Sequence, residues 1–362
     1  MTQPAEAAVA TTAERAAMRR ALELAAQVPA RGPNPRVGCV LLGADGAVLA
    51  EGYHRGAGTP HAEVDALRRA AASHGAAAAH GATAVVTLEP CNHHGRTGPC
   101  ADALLNAGVA RVVHAQHDPN PVASGGAARL RAAGVDVLGG LLADEARALN
   151  ATWTRSLELG RPVVTWKLAA SLDGRAAAAD GTSRWITGRA ARQDVHRLRA
   201  GVDAVVVGTG TALADDPDLT VRHVPLTGPQ PERVVVGLRD LPASSRLARA
   251  AAAGEPVTHL RTHDPHEVLE TLGYREHRHV LLEGGPALAA AFWRAGLVDE
   301  VVAYVAPVLL GVGAPAVADL GIGTIADAAR LDLLDVAVLQ RDPADPTDTP
   351  TVRLTLRPRK ER

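Results

Sequence analysis

Residues 83–107 read TAVVTLEPCNHHGRTGPCADALLNA. The β-branched, apolar run from Ala84 to Leu88 is a buried strand, and Cys100 to Ala107 reads as a helix. Cys91 therefore ends a strand and Cys100 opens a helix, with residues 92–99 looped between them. Upstream, His61-Ala62-Glu63 opens another helical stretch, His61 to Ala72. Before it, the strand Val37 to Leu42 turns at Asp45-Gly46 into a second strand ending at Tyr53, a hairpin. An amphipathic helix from Glu14 to Gln27 precedes the hairpin and is ended by Pro29 and the turn-rich residues 31–35. Downstream come strand Val109 to Ala115, helix Gly125 to Ala133 and helix Asp144 to Leu157. Alternation of this kind predicts a layered α/β sheet.

His61, Glu63, Pro90, Cys91 and Cys100 form the H-x-E…P-C…C arrangement of zinc deaminases. One imidazole and two thiolates leave a tetrahedral zinc one position open, as catalytic sites require. Glu63 is placed to take a proton from water and relay it to a departing amine. His61 and Cys100 both fall at helix N-termini, where the dipole favours thiolate and disfavours imidazolium. The competing reading is a structural site closed by Cys39, His93 or His94. A structural site has no use for an acidic residue two places after its histidine, and Cys39 lies in an apolar strand as a core cysteine would.

The chain has 362 residues, too many for one ordinary core, so two domains are expected. A net charge of −1, from 38 basic and 39 acidic residues, argues against a large nucleic-acid or anionic-membrane footprint. Aromatics at 2% are too few for base-stacking platforms. Three cysteines make no disulfide framework, and no run is long and uncharged enough for a membrane helix. A cytoplasmic protein is expected, with residues 1–13 a disordered tail and Gly160-Arg161-Pro162 marking the boundary between domains 14–159 and 160–362.

Beyond the boundary the alternation restarts. Strands are read at Val163 to Leu168, Ala204 to Val207, Arg233 to Val236, His279 to Leu282 and Glu300 to Ala306, with helices at Gly188 to Ala200 and Pro286 to Ala295. Gly208-Thr209-Gly210 follows a strand, but Leu213 stands where a third dinucleotide glycine belongs, so the Rossmann fingerprint fails. Glu283-Gly284-Gly285 lies between strand and helix, where backbone N–H groups can meet a phosphate. Lys167 interrupts an apolar strand. It has either a chemical role or a carboxylate partner such as Asp173 or Asp215.

Longer words carry a resemblance. In the first half they are residues 33–38 (PNPRVG), 52–54 (GYH), 61–63 (HAE), 87–91 (TLEPC), 95–100 (GRTGPC) and 118–121 (DPNP). In the second they are residues 167–174 (KLAASLDG), 183–188 (SRWITG), 215–222 (DDPDLTVR) and 283–286 (EGGP). The chain resembles the bacterial bifunctional riboflavin-biosynthesis deaminase/reductase family along nearly its whole length. The resemblance implies an N-terminal cytidine-deaminase-like, three-layer α/β/α domain and a C-terminal dihydrofolate-reductase-like α/β domain. It implies zinc-dependent hydrolysis of the 2-amino group of a diaminopyrimidinone bearing ribosylamine 5-phosphate. NADPH-dependent reduction of the ribosyl group to ribityl would follow, in a homo-oligomer (dimer or tetramer).

By the same resemblance, His61, Cys91 and Cys100 hold the metal, and Glu63 is catalytic. Asn34, His54, His93 and Arg96 surround the first substrate, with Arg96 suited to its phosphate. In the second half Lys167, Asp215 and Glu283 are the catalytic candidates. Ala169, Trp185, Thr211, Asp215, Gly285, Pro286, Ala287 and Leu288 contact the cofactor, and Ser183, Arg199, Leu219, Arg222 and Glu283 the substrate. Where the family usually carries Asp-Ser after the strand near 236, this chain has Gly237-Leu238, which removes a polar cofactor contact there. Two other readings compete. A nucleic-acid or free-nucleoside deaminase is opposed by the long cysteine loop and neutral charge, and a non-catalytic second half by the presence of Lys167, Asp215 and Glu283.

Overall fold

In the computed structural model residues 9–93 and 98–359 are described, and the chain divides into two compact units, Met1–Glu158 and Leu159–Arg362. Each unit has its own sheet.

The first unit runs α1 (Thr12–Ala26), β1 (Gly38–Leu42), β2 (Val48–Tyr53), α2 (Ala62–His74), β3 (Thr83–Leu88), α3 (Cys100–Asn106), β4 (Arg111–Gln116), α4 (Gly126–Ala132), β5 (Asp136–Gly139), α5 (Ala143–Leu149) and α6 (Ala151–Leu159). Strand order is β2-β1-β3-β4-β5. β1 is antiparallel to both neighbours and the rest are parallel. Period-two alternation sends Cys39, Leu41 and Val86 to one face, against Ala62, Ala66 and Ala70 of α2 and Leu104 of α3. Val40, Val85 and Val113 go to the other, against Met18 and Ala21 of α1 and Ala146 of α5. Three layers result. Gly52 on β2 fixes the spacing of one of them. A Cβ there would stand 2.4 Å from Ala62 O and Ala66 N, so only glycine lets the first turn of α2, with His61 and Glu63, lie directly on the sheet.

Two expectations are corrected. The first helix begins at Thr12 rather than at Glu14. Thr11 Oγ1 accepts the Glu14 N–H and the Glu14 carboxylate accepts the Thr11 N–H, a capping box that fixes the start before the apolar periodicity is visible. The helix read from Asp144 to Leu157 is two helices. They break at Asn150, whose side chain accepts the Arg36 N–H and donates to Arg36 O, both at 2.9 Å. That exchange ties the break to the segment leading into β1. Residues 1–8 of the expected tail lie outside the described residues.

The second unit runs β6 (Val163–Ser171), α7 (Arg189–Ala200), β7 (Ala204–Gly208), α8 (Thr209–Asp215), β8 (Glu232–Val236), α9 (Arg246–Ala252), β9 (Val257–Leu260), α10 (Pro265–Tyr274), β10 (His279–Leu282), α11 (Pro286–Arg294), β11 (Glu300–Ala306), β12 (Leu331–Leu339) and β13 (Thr351–Pro358). Its sheet has the order β12-β13-β11-β6-β10-β7-β8-β9, parallel from β11 to β9, with the antiparallel β12–β13 pair at one edge. The central strands are apolar runs covered on both faces, as buried parallel strands are. α7 packs Ala191 and Val195 on Val302 and Tyr304 of β11. The Tyr304 hydroxyl donates to Asp194 at 2.8 Å and Arg353 of β13 reaches the same carboxylate at 3.2 Å. At its start, α7 is held by Gly188 N–H on Thr351 Oγ1 (3.1 Å) and Arg189 N–H on Asp348 (2.7 Å). Among the described residues no helix is long and apolar enough to cross a membrane.

Candidate active sites

In the first unit, His61 caps α2 in extended conformation, Cys91 lies just beyond β3, and Cys100 is the first residue of α3. His61 Nδ1 is 3.2 Å from Cys100 Sγ and 3.7 Å from Cys91 Sγ, and the three ligand atoms all lie within 4.8 Å of one another. Tetrahedral zinc at ordinary Zn–N and Zn–S lengths needs its ligands about 3.6 Å apart, so the donor set fits that ion. The chain's own electrostatics point the same way. Hydrogen bonds from the Cys100 thiol and His61, working against burial, hold the Cys91 thiol down to about 4, while the Cys100 thiol is raised well above its usual value by Cys91 and by burial. The pair by itself keeps one negative charge, and a divalent cation is what favours two thiolates. Among the described residues no fourth histidine, cysteine or carboxylate joins this group. Cys39 is in the core of β1, and His94 lies outside the described residues.

Glu63, in the first turn of α2, is 3% exposed, and burial followed by the Cys91 charge pushes its carboxyl up to about 7. His54 is buried beside the metal ligand, its ring centroid 5.3 Å from that of His61. Its Nδ1–H donates to Pro60 O at 3.0 Å, which leaves Nε2 to accept from Asn34 Nδ2 at 2.9 Å. Burial lowers its pKa and keeps the ring neutral. The buried Nδ1 of His93 has no partner among the described residues. Arg96 lies outside the described residues.

Sequence reasoning quoted Glu89 within a motif and gave it no part. It is 7% exposed and accepts N–H groups from Asp118, Gly125 and Ala127 at 3.1 to 3.3 Å. Burial alone would raise its pKa, but these N–H donors hold it low. Glu89 thus pins the loop before α4 against the strand end that delivers Cys91. A carboxylate at the end of an apolar strand, two residues before a ligand, was the signal.

In the second unit, the charged candidates meet at the carboxyl ends of the strands, where ligands of open α/β sheets bind. Lys167 on β6 lies opposite Val302 of β11. Burial lowers its ammonium pKa, the charges of Glu283 and Asp215 raise it, and Arg199 lowers it further. Among the described residues Lys167 has no ion pair within 4.0 Å. Asp173, one of the two partners considered for it, is engaged by Ser171 Oγ (2.6 Å) and the N–H groups of Leu310 and Gly311. Glu283, just after β10, takes a bidentate bond from Arg199 at the end of α7 (Nε 2.5 Å, Nη2 2.9 Å), with both side chains almost buried. Arg199 is therefore already neutralised, and Arg222 is exposed and paired with Asp218 at 2.5 Å. Leu219 is buried at φ 56, and the Arg222 N–H donates to His196 Nδ1 at 3.1 Å. His196, which the sequence did not single out, holds this segment against α7.

The cofactor candidates fall into two groups. Thr211 Oγ1 accepts the Gly285 N–H at 2.9 Å, joining α8 to the start of α11. Gly285 caps α11 without a side-chain bond and Pro286 has no N–H, so the N–H groups of Ala287 and Leu288 are available to an anion. A dinucleotide diphosphate suits that cradle. Ala169 is two residues from Lys167 on β6 and packs toward α7. Ser183 and Trp185 lie on a loop reached through Arg184, which donates to Asp215 O at 2.7 Å. Trp185 is 67% exposed, with the Arg192 guanidinium 4.6 Å over its ring.

Residues 11–116 match the family model for the cytidine and deoxycytidylate deaminase zinc-binding region, and residues 162–343 that for the RibD C-terminal domain. The chain is 50% identical to the riboflavin biosynthesis protein RibD of Mycobacterium tuberculosis, covering 82% of this chain and 86% of that protein. It is 43% identical to the RibD of Escherichia coli, covering 88% and 95%. Among solved structures, Acinetobacter baumannii RibD aligns with a TM-score of 0.83 at 40% identity, covering 96% of this chain and 99% of that one. A diaminohydroxyphosphoribosylaminopyrimidine deaminase/5-amino-6-(5-phosphoribosylamino)uracil reductase from Thermotoga maritima aligns at 0.77 and 31%, with the same coverage.

Proposed function

The chain belongs to the RibD family, bifunctional deaminase/reductases of riboflavin biosynthesis with a zinc-binding deaminase domain and an NADPH-dependent reductase domain, and from that premise we propose the two reactions it performs and the residues that perform them. It first hydrolyses the 2-amino group of 2,5-diamino-6-(5-phosphoribosylamino)pyrimidin-4(3H)-one. It then reduces the ribosyl group, giving 5-amino-6-(5-phosphoribitylamino)uracil. We assign the deaminase to residues 14–159 and the reductase to residues 160–362.

The observation that carries the first reaction is the convergence of His61, Cys91 and Cys100 beside the buried Glu63. When bound, zinc supplies Lewis-acid activation of the hydrolytic water. Glu63 takes that water's proton and gives it to the exocyclic nitrogen as the C2–N bond breaks and ammonia leaves. Asn34 and His54 are preset by their mutual bond to orient the pyrimidine, and the unpartnered Nδ1 of His93 offers a further contact. Arg96 is assigned to the phosphate by resemblance alone.

In the second reaction NADPH, held by the cofactor residues named below, would supply the hydride that C1′ of the sugar gains. Ring opening shifts a proton from the C1′ nitrogen to the ring oxygen. As the hydride arrives, Lys167 gives one proton to that nitrogen, helped by the burial that lowers its pKa. Asp215 supports the charge of Lys167, and Glu283 with Arg199 forms a fixed polar wall for the substrate. Ser183, Leu219 and Arg222 complete the substrate contacts. Ala169, Trp185, Thr211 and residues 285–288 receive the cofactor.

We place the enzyme in the cytoplasm, which its three unpaired cysteines support. A homo-oligomer, dimer or tetramer, is the proposed assembly. β12 is an edge strand whose outer ladder is open, and Leu333, Val336 and Val338 on it are more than half exposed. Light scattering that found only monomer at micromolar concentration would remove this part. The decisive assay incubates zinc-loaded enzyme with the diaminopyrimidinone and follows products by mass. Ammonia release is expected without NADPH, and a gain of two hydrogens only with it. Failure of either step sinks the corresponding half.

A further inference from the structure

The carboxyl ends of the parallel strands carry a cation with no counter-charge. Arg239, just after β8, is exposed and has no ion pair or hydrogen bond among the described residues. The adjacent carboxylate, Asp240, is taken by Arg261, which also donates to Leu238 O at 3.1 Å. Yet Arg239 does not point away from the protein. Its Nη2 lies 3.2 Å from where a Cβ on Gly210 would stand. Gly210 sits between Thr209 and Thr211, and Thr211 holds the N–H of Gly285 at the start of α11. The guanidinium therefore overlies the short segment assigned to the dinucleotide.

What precedes Arg239 is equally informative. Gly237 has φ 132, and a Cβ there would fall 2.6 Å from Thr209 Oγ1. Thr209 fills the volume a side chain at 237 would need, and Leu238 is apolar and exposed. Positions 237 and 238 thus offer no hydroxyl or carboxylate. In dinucleotide sites a carboxylate beside the adenosine ribose bonds the 2′-hydroxyl of NADH, whereas an arginine accommodates the 2′-phosphate of NADPH. Here the arginine is the unpaired group, and the neighbouring Asp240 is held by Arg261.

The sheet order sets the distance. From β6 through β10 and β7 to β8 is three strand spacings, about 14 Å at about 4.8 Å each. Lys167 stands on the first of these strands and Arg239 follows the last, with the start of α11 after the intervening β10. A dinucleotide laid across them has its nicotinamide at β6, its diphosphate at α11 and its adenosine at β8.

We propose that Arg239 binds the 2′-phosphate of NADPH and makes the second unit select NADPH over NADH, an inference that rests on the reductase reading above. The test titrates full-length wild type, Arg239→Gln and Arg239→Lys with NADPH and NADH by nucleotide fluorescence, and with 2′,5′-ADP and ADP by calorimetry. Circular dichroism and thermal melts confirm that the variants are folded. The glutamine variant is expected to lose about ten- to hundredfold in affinity for NADPH and 2′,5′-ADP, with NADH and ADP unchanged and lysine intermediate. Retention of the NADPH preference in Arg239→Gln, or equal losses for both dinucleotides, overturns the assignment while leaving the reductase reading intact. A wild-type chain that binds neither dinucleotide sinks the reductase reading, and this proposal with it.

Discussion

The first unit gathers two thiols and an imidazole, with a buried carboxyl close by, a donor set that suits a cation supplied from outside. The second unit balances its buried charges itself, with Arg199 locked on Glu283 and Lys167 within the field of Glu283 and Asp215. The first site is thus chemically incomplete without its ion. The second is a finished polar framework waiting for an organic cofactor. The two halves should therefore respond to opposite perturbations.

The largest separation is expected from Glu63→Gln. Deamination should fall by about three orders of magnitude with zinc content unchanged, because the amide cannot relay a proton. NADPH oxidation with the deaminated substrate should continue. Ammonia release, bound zinc and absorbance at the nicotinamide band report the three quantities, and residual deamination near wild-type rate would show that another group shuttles the proton. Chelation of the metal should divide the activities in the same way.

A smaller effect, read here on stability, is expected from Glu283→Gln. It leaves the Arg199 guanidinium buried without its counter-charge and should cost the second unit about 3 kcal/mol, read in denaturant unfolding. An unchanged midpoint would mean that the pair contributes nothing beyond its desolvation. The pH dependence has a defined sign. Burial raises the Glu283 pKa, Arg199 lowers it more, and the net folded value lies below that of the unfolded chain. The pair's contribution is therefore complete above about pH 4.3 and is lost as pH falls below that. The gap between wild type and variant should narrow only on that acid limb, the smallest of these effects.

Much of this was legible in the sequence for physical reasons that differ between the halves. The metal ligands lie on short motifs at helix starts and a strand end, so local patterning placed His61, Cys91 and Cys100 correctly relative to α2, β3 and α3. The reductase residues come from strand ends and loops far apart in the chain, and Lys167, Arg199 and Glu283 could be associated only through family resemblance. The Arg199–Glu283 pair, 84 positions apart, had no local signature. Some elements escaped for identifiable reasons. Asn150 broke a continuous helical pattern through a bond to Arg36, over a hundred positions away. β9 is half-buried along its whole length, so unlike the equally short β10 it carries no apolar run to mark it. The β12–β13 pair was hidden because a register shift between Leu333 and Asp335 scrambles the period and most of β12 faces solvent.

The anchoring of α7 has a consequence for the order in which the two sites mature. Every candidate metal ligand lies within the first 100 residues and the first unit is complete by residue 158, so that unit can fold while translation continues. The helix that presents Arg199 packs on β11, and its start is tied to Asp348 and Thr351, which emerge nearly two hundred residues after the first unit is complete. The two candidate sites can thus form one after the other on a nascent chain, the first from a contiguous segment and the second only once its last strand is made.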